Sequence, residues 1–169
     1  MYIDVTVINM GTEPITDLWV GWKIDPDIGH TGLNGREAGD DITGHSYREF
    51  DFSGWPKDVS VCWAADNDGD PDTLSGEFDA QSPTGIFGSA YLGGQPLLPD
   101  ESYNWWIPAF RDSLDWGPQR MPGDTNALGS RGLPLTDAFK YRLMSNREID
   151  YDQVYAAIDR SAAGWMPPT

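Results

Sequence analysis

One cysteine stands among the 169 residues, so no disulfide closes within the chain. Cys62 lies inside an apolar run and reads as a small buried hydrophobe. Two histidines are few for a zinc or iron pair. Lys and Arg number 11 against 27 Asp and Glu, a net charge of −16. Phosphate contacts need Lys and Arg, so this balance excludes a nucleic-acid partner and, by the same reasoning, an anionic membrane surface. No apolar run approaches the ~20 residues of a membrane-spanning helix, so no membrane insertion is expected. Met1 to Asn9 lacks a basic region, so no signal peptide is read there. Gly-x-Ser-x-Gly, His-Glu-x-x-His and phosphate-loop motifs are all missing.

What the chain has instead is Asp66-Asn67-Asp68-Gly69-Asp70-Pro71-Asp72, placed directly after the apolar run Val59-Ser60-Val61-Cys62-Trp63-Ala64-Ala65. Crowded carboxylates repel one another, and a compact loop built from them calls for a cation. Hard oxygen ligands on a flexible loop suit calcium, which takes six to eight of them. With Asp66 at position 1, Asp68, Asp70 and Asp72 fall on positions 3, 5 and 7, and Glu77 falls on position 12, where an EF-hand has its bidentate ligand. The sharp-turn glycine of an EF-hand belongs at position 6, however, where this chain has Pro71, and no amphipathic helix precedes the loop. The reading is a strand-to-loop calcium site with EF-like ligand alternation, and the alternative is a solvated acidic turn. A net charge of −16 also weakens a fold unless counter-ions relieve it, a second argument for bound cations.

Two further acidic loops accompany the first: Asp25-Pro26-Asp27 and Asp40-Asp41. Asp25, Asp27, Asp40 and Asp41 therefore join the candidate metal ligands. The Asp25 and Asp66 loops each follow a strand; if those strands are neighbours and run the same way, one or two calcium ions pin a single end of the fold, and otherwise only the Asp66 loop binds metal. His30 and His45 do not match the Asp-x-His and Asn-His patterns of dinuclear phosphoesterases, and both read as ordinary loop residues. Among 27 acids some pair always has glycosidase-like spacing, so that signal decides nothing.

Along the chain, residues 3–9 alternate with period two, residues 9–14 form a turn, and residues 15–24 carry Leu18, Val20, Trp22 and Ile24 on one face. The two segments are expected to make an opening hairpin. A Gly- and Asp-rich loop follows to about Gly44, then strands at 47–52, 58–65, 85–92 and 103–110. Residues 111–135 have no clean period, which suggests a functional or metal-organised segment. Residues 136–144 suit a helix or a strand equally, and 151–162 suit a helix that stops near Gly164. The expected fold is mostly β: one domain over residues 1–169, an antiparallel β-sandwich with long metal-organised loops and one or two short helices. The first residues lie inside a strand and the last are Trp165-Met166-Pro167-Pro168-Thr169, so the chain reads as a piece of a longer protein.

Eight tryptophans offer a second candidate site. Neighbours in a strand face opposite sides, so one of Trp105 and Trp106 is expected in the core and the other outward. Trp19 likewise faces away from Leu18 and Val20. Outward rings could stack on sugars; the alternative is that they fill the core beneath Gly- and Pro-rich loops.

Several stretches together resemble segments of uncharacterised modules in large secreted bacterial proteins that often carry C-terminal secretion-sorting domains. They are Leu18-Trp19-Val20-Gly21-Trp22-Lys23-Ile24-Asp25-Pro26-Asp27-Ile28-Gly29, Asp66-Asn67-Asp68-Gly69-Asp70-Pro71, Tyr103-Asn104-Trp105-Trp106-Ile107, Leu114-Asp115-Trp116-Gly117-Pro118, Lys140-Tyr141-Arg142-Leu143-Met144-Ser145-Asn146 and Ile149-Asp150-Tyr151-Asp152-Gln153. This chain is shorter than those relatives after Asp41. The resemblance implies a secreted or cell-surface, β-rich module and nothing catalytic. The resulting expectation is a calcium-binding structural or adhesive module whose partner is a carbohydrate or another surface protein. The alternatives are a carbohydrate-binding module using Trp19, Trp105 and Trp106, or a metal-dependent hydrolase of phosphoesters or glycosides.

Overall fold

The computed structural model describes residues 1–29, 41–49, 58–67, 69, 71, 75–83, 85–91, 100–106, 117–119, 134 and 136–155. The expected ligands Asp40, Asp68, Asp70 and Asp72 lie outside these residues, as do His30 and residues 107–116. Among the described residues strand exceeds helix. Three strands, β1 (Ile42–Glu49), β2 (Asp58–Ala65) and β3 (Ile86–Ala90), form one antiparallel sheet in the order β1-β2-β3. One α-helix, α1 (Asp137–Ser145), and a 3-10 turn over Gln153–Tyr155 follow.

The strand expected over 58–65 matches β2, because Val59, Val61, Cys62 and Trp63 suit a pleated surface. β1 departs from expectation. It starts at Ile42, inside what reads as a Gly-rich loop, so His45 is a strand residue and not a loop residue. The reason is Gly44, which sits opposite Trp63 in the register. The Trp63 indole lies where a Cβ on Gly44 would stand, so the glycine's missing side chain makes room for the ring.

The outer edge of β1 is closed by side chains. The Thr43 N–H donates to Gln153 Oε1 at 3.1 Å and the His45 N–H donates to Asp152 Oδ1 at 2.8 Å. Alternate N–H groups of an edge strand need acceptors, and here two side chains stand in for a fourth strand. The same C-terminal segment makes a parallel bridge, Tyr103 to Ile149, with Tyr103 N–H to Glu148 C=O at 2.9 Å and Asp150 N–H to Tyr103 C=O at 2.8 Å. Beyond this bridge, residues 104–106 are not strand, which shortens the element expected from 103. Tyr103 and Trp105 form the core with Cys62 and Tyr151 packed against them. Trp105 is the inward member of its pair at 4 % exposure, its indole N–H donating to the Tyr151 carbonyl at 2.6 Å, while Trp106 is half-buried.

Residues 136–144 resolve to helix because Thr136 caps it: its hydroxyl accepts from the Phe139 N–H at 3.3 Å. At the opposite end Asn104 Nδ2 donates to the Leu143 carbonyl at 3.0 Å and Ser102 Oγ to the Met144 carbonyl at 3.1 Å, satisfying groups that a helix end leaves unpaired.

The expected N-terminal hairpin does not form a ladder among the described residues. The turn is present: Asn9 Oδ1 accepts from the Gly11 N–H at 2.8 Å and Asn9 Nδ2 donates to the Glu13 carbonyl at 2.8 Å. But Ile3, Val5 and Val7 are 45–58 % exposed, and Leu18, Val20 and Trp22 are exposed too. Alternation marks which side chains could share a face. A strand also needs a partner for its N–H and C=O groups, and among the described residues no second layer covers these side chains.

Gly44→Ala should destabilise the fold by about 1–3 kcal/mol through overpacking. An added Cβ would meet the Trp63 ring and lie 2.5 Å from Asp152 Oδ1, the atom that closes the β1 edge. Gly85→Ala is the control, since nothing lies within 4 Å of its Cβ position. Urea melts of the two variants that shift equally would refute this packing argument.

Candidate functional site

The described ends of the acidic loops meet at one end of the sheet. Ile42 pairs with Ala65, so Asp41 and Asp66, the residues just outside that pair, flank the same end of β1 and β2. The Ile28 N–H donates to Asp41 Oδ2 at 2.9 Å, which draws the Asp25-Pro26-Asp27 loop to this end as well. Asp41 and Asp66 are half-buried, whereas Asp25, Asp27 and Glu77 are exposed. Asp66 Oδ1 accepts from the Gly69 N–H and so folds the start of its own loop. Gly69 has φ +80, and a Cβ there would stand 2.8 Å from Phe78 Cε1. Phe78 therefore seats the segment carrying Glu77 beside the Asp66 loop. That segment is locked by Asp79, whose Oδ1 accepts from the Gln81 and Ser82 N–H groups at 2.7 and 3.1 Å while Ser82 Oγ accepts from the Asp79 N–H at 3.1 Å. Among the described residues no group of three or more His, Cys, Asp and Glu is arranged to hold a metal ion.

A polar cluster that the sequence reading did not single out lies on the face of β1 and β2 toward Tyr103. His45 faces Cys62 across the register, and His45 Nε2 lies 2.6 Å from Ser60 Oγ. The imidazole sits edge-on to Tyr47 and tilted against Tyr103, with centroids 4.7 and 5.4 Å apart. Burial lowers its pKa below the usual histidine value even though Glu101 and Asp152 act to raise it. The Tyr47 hydroxyl donates to Glu101 Oε1 at 2.6 Å, and this bond pushes the phenol up to about 12. Burial pushes the Cys62 thiol up to about 11, and the Glu101 charge adds to the rise. The Thr43 hydroxyl donates to the Trp63 carbonyl at 2.6 Å, and its oxygen lies 2.7 Å from the Tyr103 hydroxyl.

Asp150 is the joint beneath this cluster. It is 6 % exposed. Its Oδ2 accepts from the Trp105 N–H at 3.2 Å and its Oδ1 from Gln119 Nε2 at 2.5 Å, an amide that also donates to Glu148 Oε2 at 2.8 Å. Burial pushes its pKa up to about 6; the bonds from Gln119 and Trp105 pull the other way, and the Glu148 charge adds to the rise.

A third arrangement surrounds Trp19, which is half-buried. Arg147 follows the capping residue Asn146 of α1 and has φ +58. A residue with a Cβ spends about 1–2 kcal/mol in that left-handed region. The Arg147 N–H donates to Ser102 Oγ at 2.9 Å, its guanidinium reaches Asp100 Oδ2 at 2.8 Å, and its carbon lies 5.8 Å from the Trp19 ring centroid. Nothing in the sequence marks this: the usual residue at such a position is glycine.

No family model, curated protein or solved structure matches this chain.

The raised pKa of Asp150 fixes a sign. Between the unfolded value near 4 and the folded value near 6, the folded chain holds a proton that the unfolded chain has released. Stability from this group is therefore present at low pH and lost as pH rises through about 6. Asp150→Asn keeps an acceptor for one N–H and removes the titration. The stability of the parent relative to this variant should grow as pH falls from about 7 to about 5. A difference that stays flat across paired urea melts would refute the assignment.

Proposed function

We propose that this chain is a calcium-stabilised module of an exported bacterial protein, with a structural or adhesive role. The observation that carries the reading is the Ile28 N–H bond to Asp41 beside the Ile42–Ala65 pair, because it gathers three acidic segments at one end of the sheet. Asp41 and Asp66 are the fixed members, one carboxylate at the start of β1 and one at the end of β2. Asp25 and Asp27 arrive on the loop tied to Asp41, and Glu77 arrives on the segment seated by Phe78. Asp40, Asp68, Asp70 and Asp72 are the further oxygens the sequence supplies next to these positions. All are hard donors on loops, which favours calcium over magnesium, whose octahedral geometry is stricter. Four carboxylates within the seven residues 66–72 gain most from a divalent ion, since each charge raises the cost of the next.

The same reading completes the fold as a β-sandwich. The alternating segments 3–9 and 15–24 carry exposed apolar residues suited to a second sheet. The exposed Ile86 and Phe87 of β3 supply apolar surface on the first. Among the described residues no helix is long and apolar enough to cross a membrane.

Calcium should raise the melting temperature relative to EDTA. A site filled at 100 times its dissociation constant adds roughly 2.7 kcal/mol, or very roughly 5–10 °C for a chain of this size. Asp41→Asn and Asp66→Asn retain acceptors for the Ile28 and Gly69 N–H groups while removing charge. Each should weaken calcium binding in a titration yet leave the melt in EDTA nearly unchanged. Identical melting in calcium and EDTA would sink the proposal, and so would unaltered calcium affinity in both variants.

A further inference from the structure

We propose that Trp19, Arg147 and Asp100 form a binding subsite for the pyranose ring of a neutral glycan, separate from the acidic end of the sheet. The argument begins with the backbone. Arg147 occupies a left-handed conformation that glycine would adopt without strain. Strain of this kind persists where something else requires the side chain. The Arg147–Asp100 ion pair does not supply that requirement through stability, because its side chains are 63 % and 58 % exposed and water screens such pairs. What the conformation achieves is placement: the guanidinium is delivered beside the Trp19 ring and alongside a carboxylate.

The ring itself is held in position. On one side of Trp19, Tyr141 of α1 donates its hydroxyl to the Asp17 carbonyl at 3.2 Å. On the other, the Met144 thioether of α1 packs onto Gly21, in the space an added Cβ would take. Two anchors two residues away on either side fix the segment between them against the helix. The Arg147 end is equally fixed, since Ser102 Oγ bridges the Arg147 N–H and the Met144 carbonyl, and Asn146 Nδ2 donates to Asn104 Oδ1 at 2.7 Å. Preorganised groups lose little entropy when a ligand arrives.

The chemistry fits a sugar. The guanidinium carbon lies over the Trp19 ring, 5.8 Å from its centroid and near the outer limit of a cation–π contact. A pyranose presents a C–H face to an aromatic ring and vicinal hydroxyls at its rim. Each hydroxyl both donates and accepts. An adjacent carboxylate and guanidinium provide the complementary acceptor and donors, and the guanidinium keeps N–H groups beyond the one spent on Asp100. Asp100 and the net charge of −16 oppose an anionic glycan, so the class is neutral.

The test uses the whole chain in calcium buffer, with cello-, xylo- and manno-hexaoses and an array of neutral and anionic glycans. At least one neutral oligosaccharide should bind in calorimetric titration, and Trp19→Ala should weaken it by about tenfold or more, as loss of a stacking anchor does. Arg147→Gly separates function from architecture: it should weaken binding by a similar factor while the melting temperature holds or rises. Three outcomes overturn the proposal: no neutral glycan binds, Arg147→Gly binds as the parent does, or Arg147→Gly lowers the melting temperature. The last would make Arg147 a structural clamp whatever its effect on binding. Because calcium stays in the buffer throughout, failure here leaves the cation reading standing, and an unchanged EDTA melt leaves this one standing.

Discussion

The structure depends on how one sheet edge is closed. β1 has a free side, and its Thr43 and His45 N–H groups find acceptors in Gln153 and Asp152, more than 100 residues later in the chain. That closure brings residues 148–153 onto the sheet. With them come the bridge to Tyr103, the buried carboxylate of Asp150 and the packing of Tyr151 on Trp105. The helix follows, because its C-terminal carbonyls are satisfied by Ser102 and Asn104, which flank Tyr103. A sheet of three strands cannot build a core from its own faces, and here the core forms where the returning segment lies against it.

The excess of acid has a structural use apart from metal. Asp41, Asp66, Asp79, Asp150 and Asp152 each accept a hydrogen bond from a backbone N–H. In a chain whose described part holds little regular structure, many N–H groups lack a ladder partner, and a short acceptor side chain is the nearest remedy. Bonds to a charged acceptor are also stronger than neutral ones. The cost is mutual repulsion, most severe where carboxylates crowd into one loop. In the interior a carboxylate meets a different cost: at Asp150 it is chiefly burial that raises the pKa, with the Glu148 charge adding to it.

Much of this was open to a reading of the residues, and the omissions have physical causes. β2 was legible because Val59, Val61, Cys62 and Trp63 make a strand-like apolar run that needs no outside information. The start of β1 was not, because Gly44 reads as a loop residue until the Trp63 ring that rests on it is known. The helix lacked a decisive period, and its cap at Thr136 decides it. The N-terminal alternation did not translate into faces: Leu18, Val20 and Trp22 are exposed while Trp19 between them is half-buried, because an alternating pattern carries no information about a partner strand. At the acidic end the residue types were plain, but the nearness of Asp41 to Asp66 was not, because it comes from the Ile42–Ala65 pair at a strand start that reads as loop. Asp150 and Asp152 were invisible as structural acceptors, since nothing in a sequence shows whether a carboxylate meets an N–H or water. Arg147 gave no signal because its positive φ is set by contacts with Ser102, Asp100 and Trp19.

The two proposed sites are physically joined. Residues 17–28 run from α1, where Tyr141 and Met144 hold Asp17 and Gly21, to the acidic end, where Asp41 holds Ile28. Trp19 lies near one end of this segment and Asp25 and Asp27 near the other. No strand ladder fixes the residues between, so their order rests on these terminal anchors. A cation engaging Asp25 or Asp27 together with Asp41 would tighten the distal anchor and restrict the span that leads to the Trp19 ring. Coupling of that kind needs no displacement of the ring, only a loss of freedom shared by both ligands. It acts in both directions, so a glycan held at Trp19 would favour cation binding by the same factor that the cation favours the glycan.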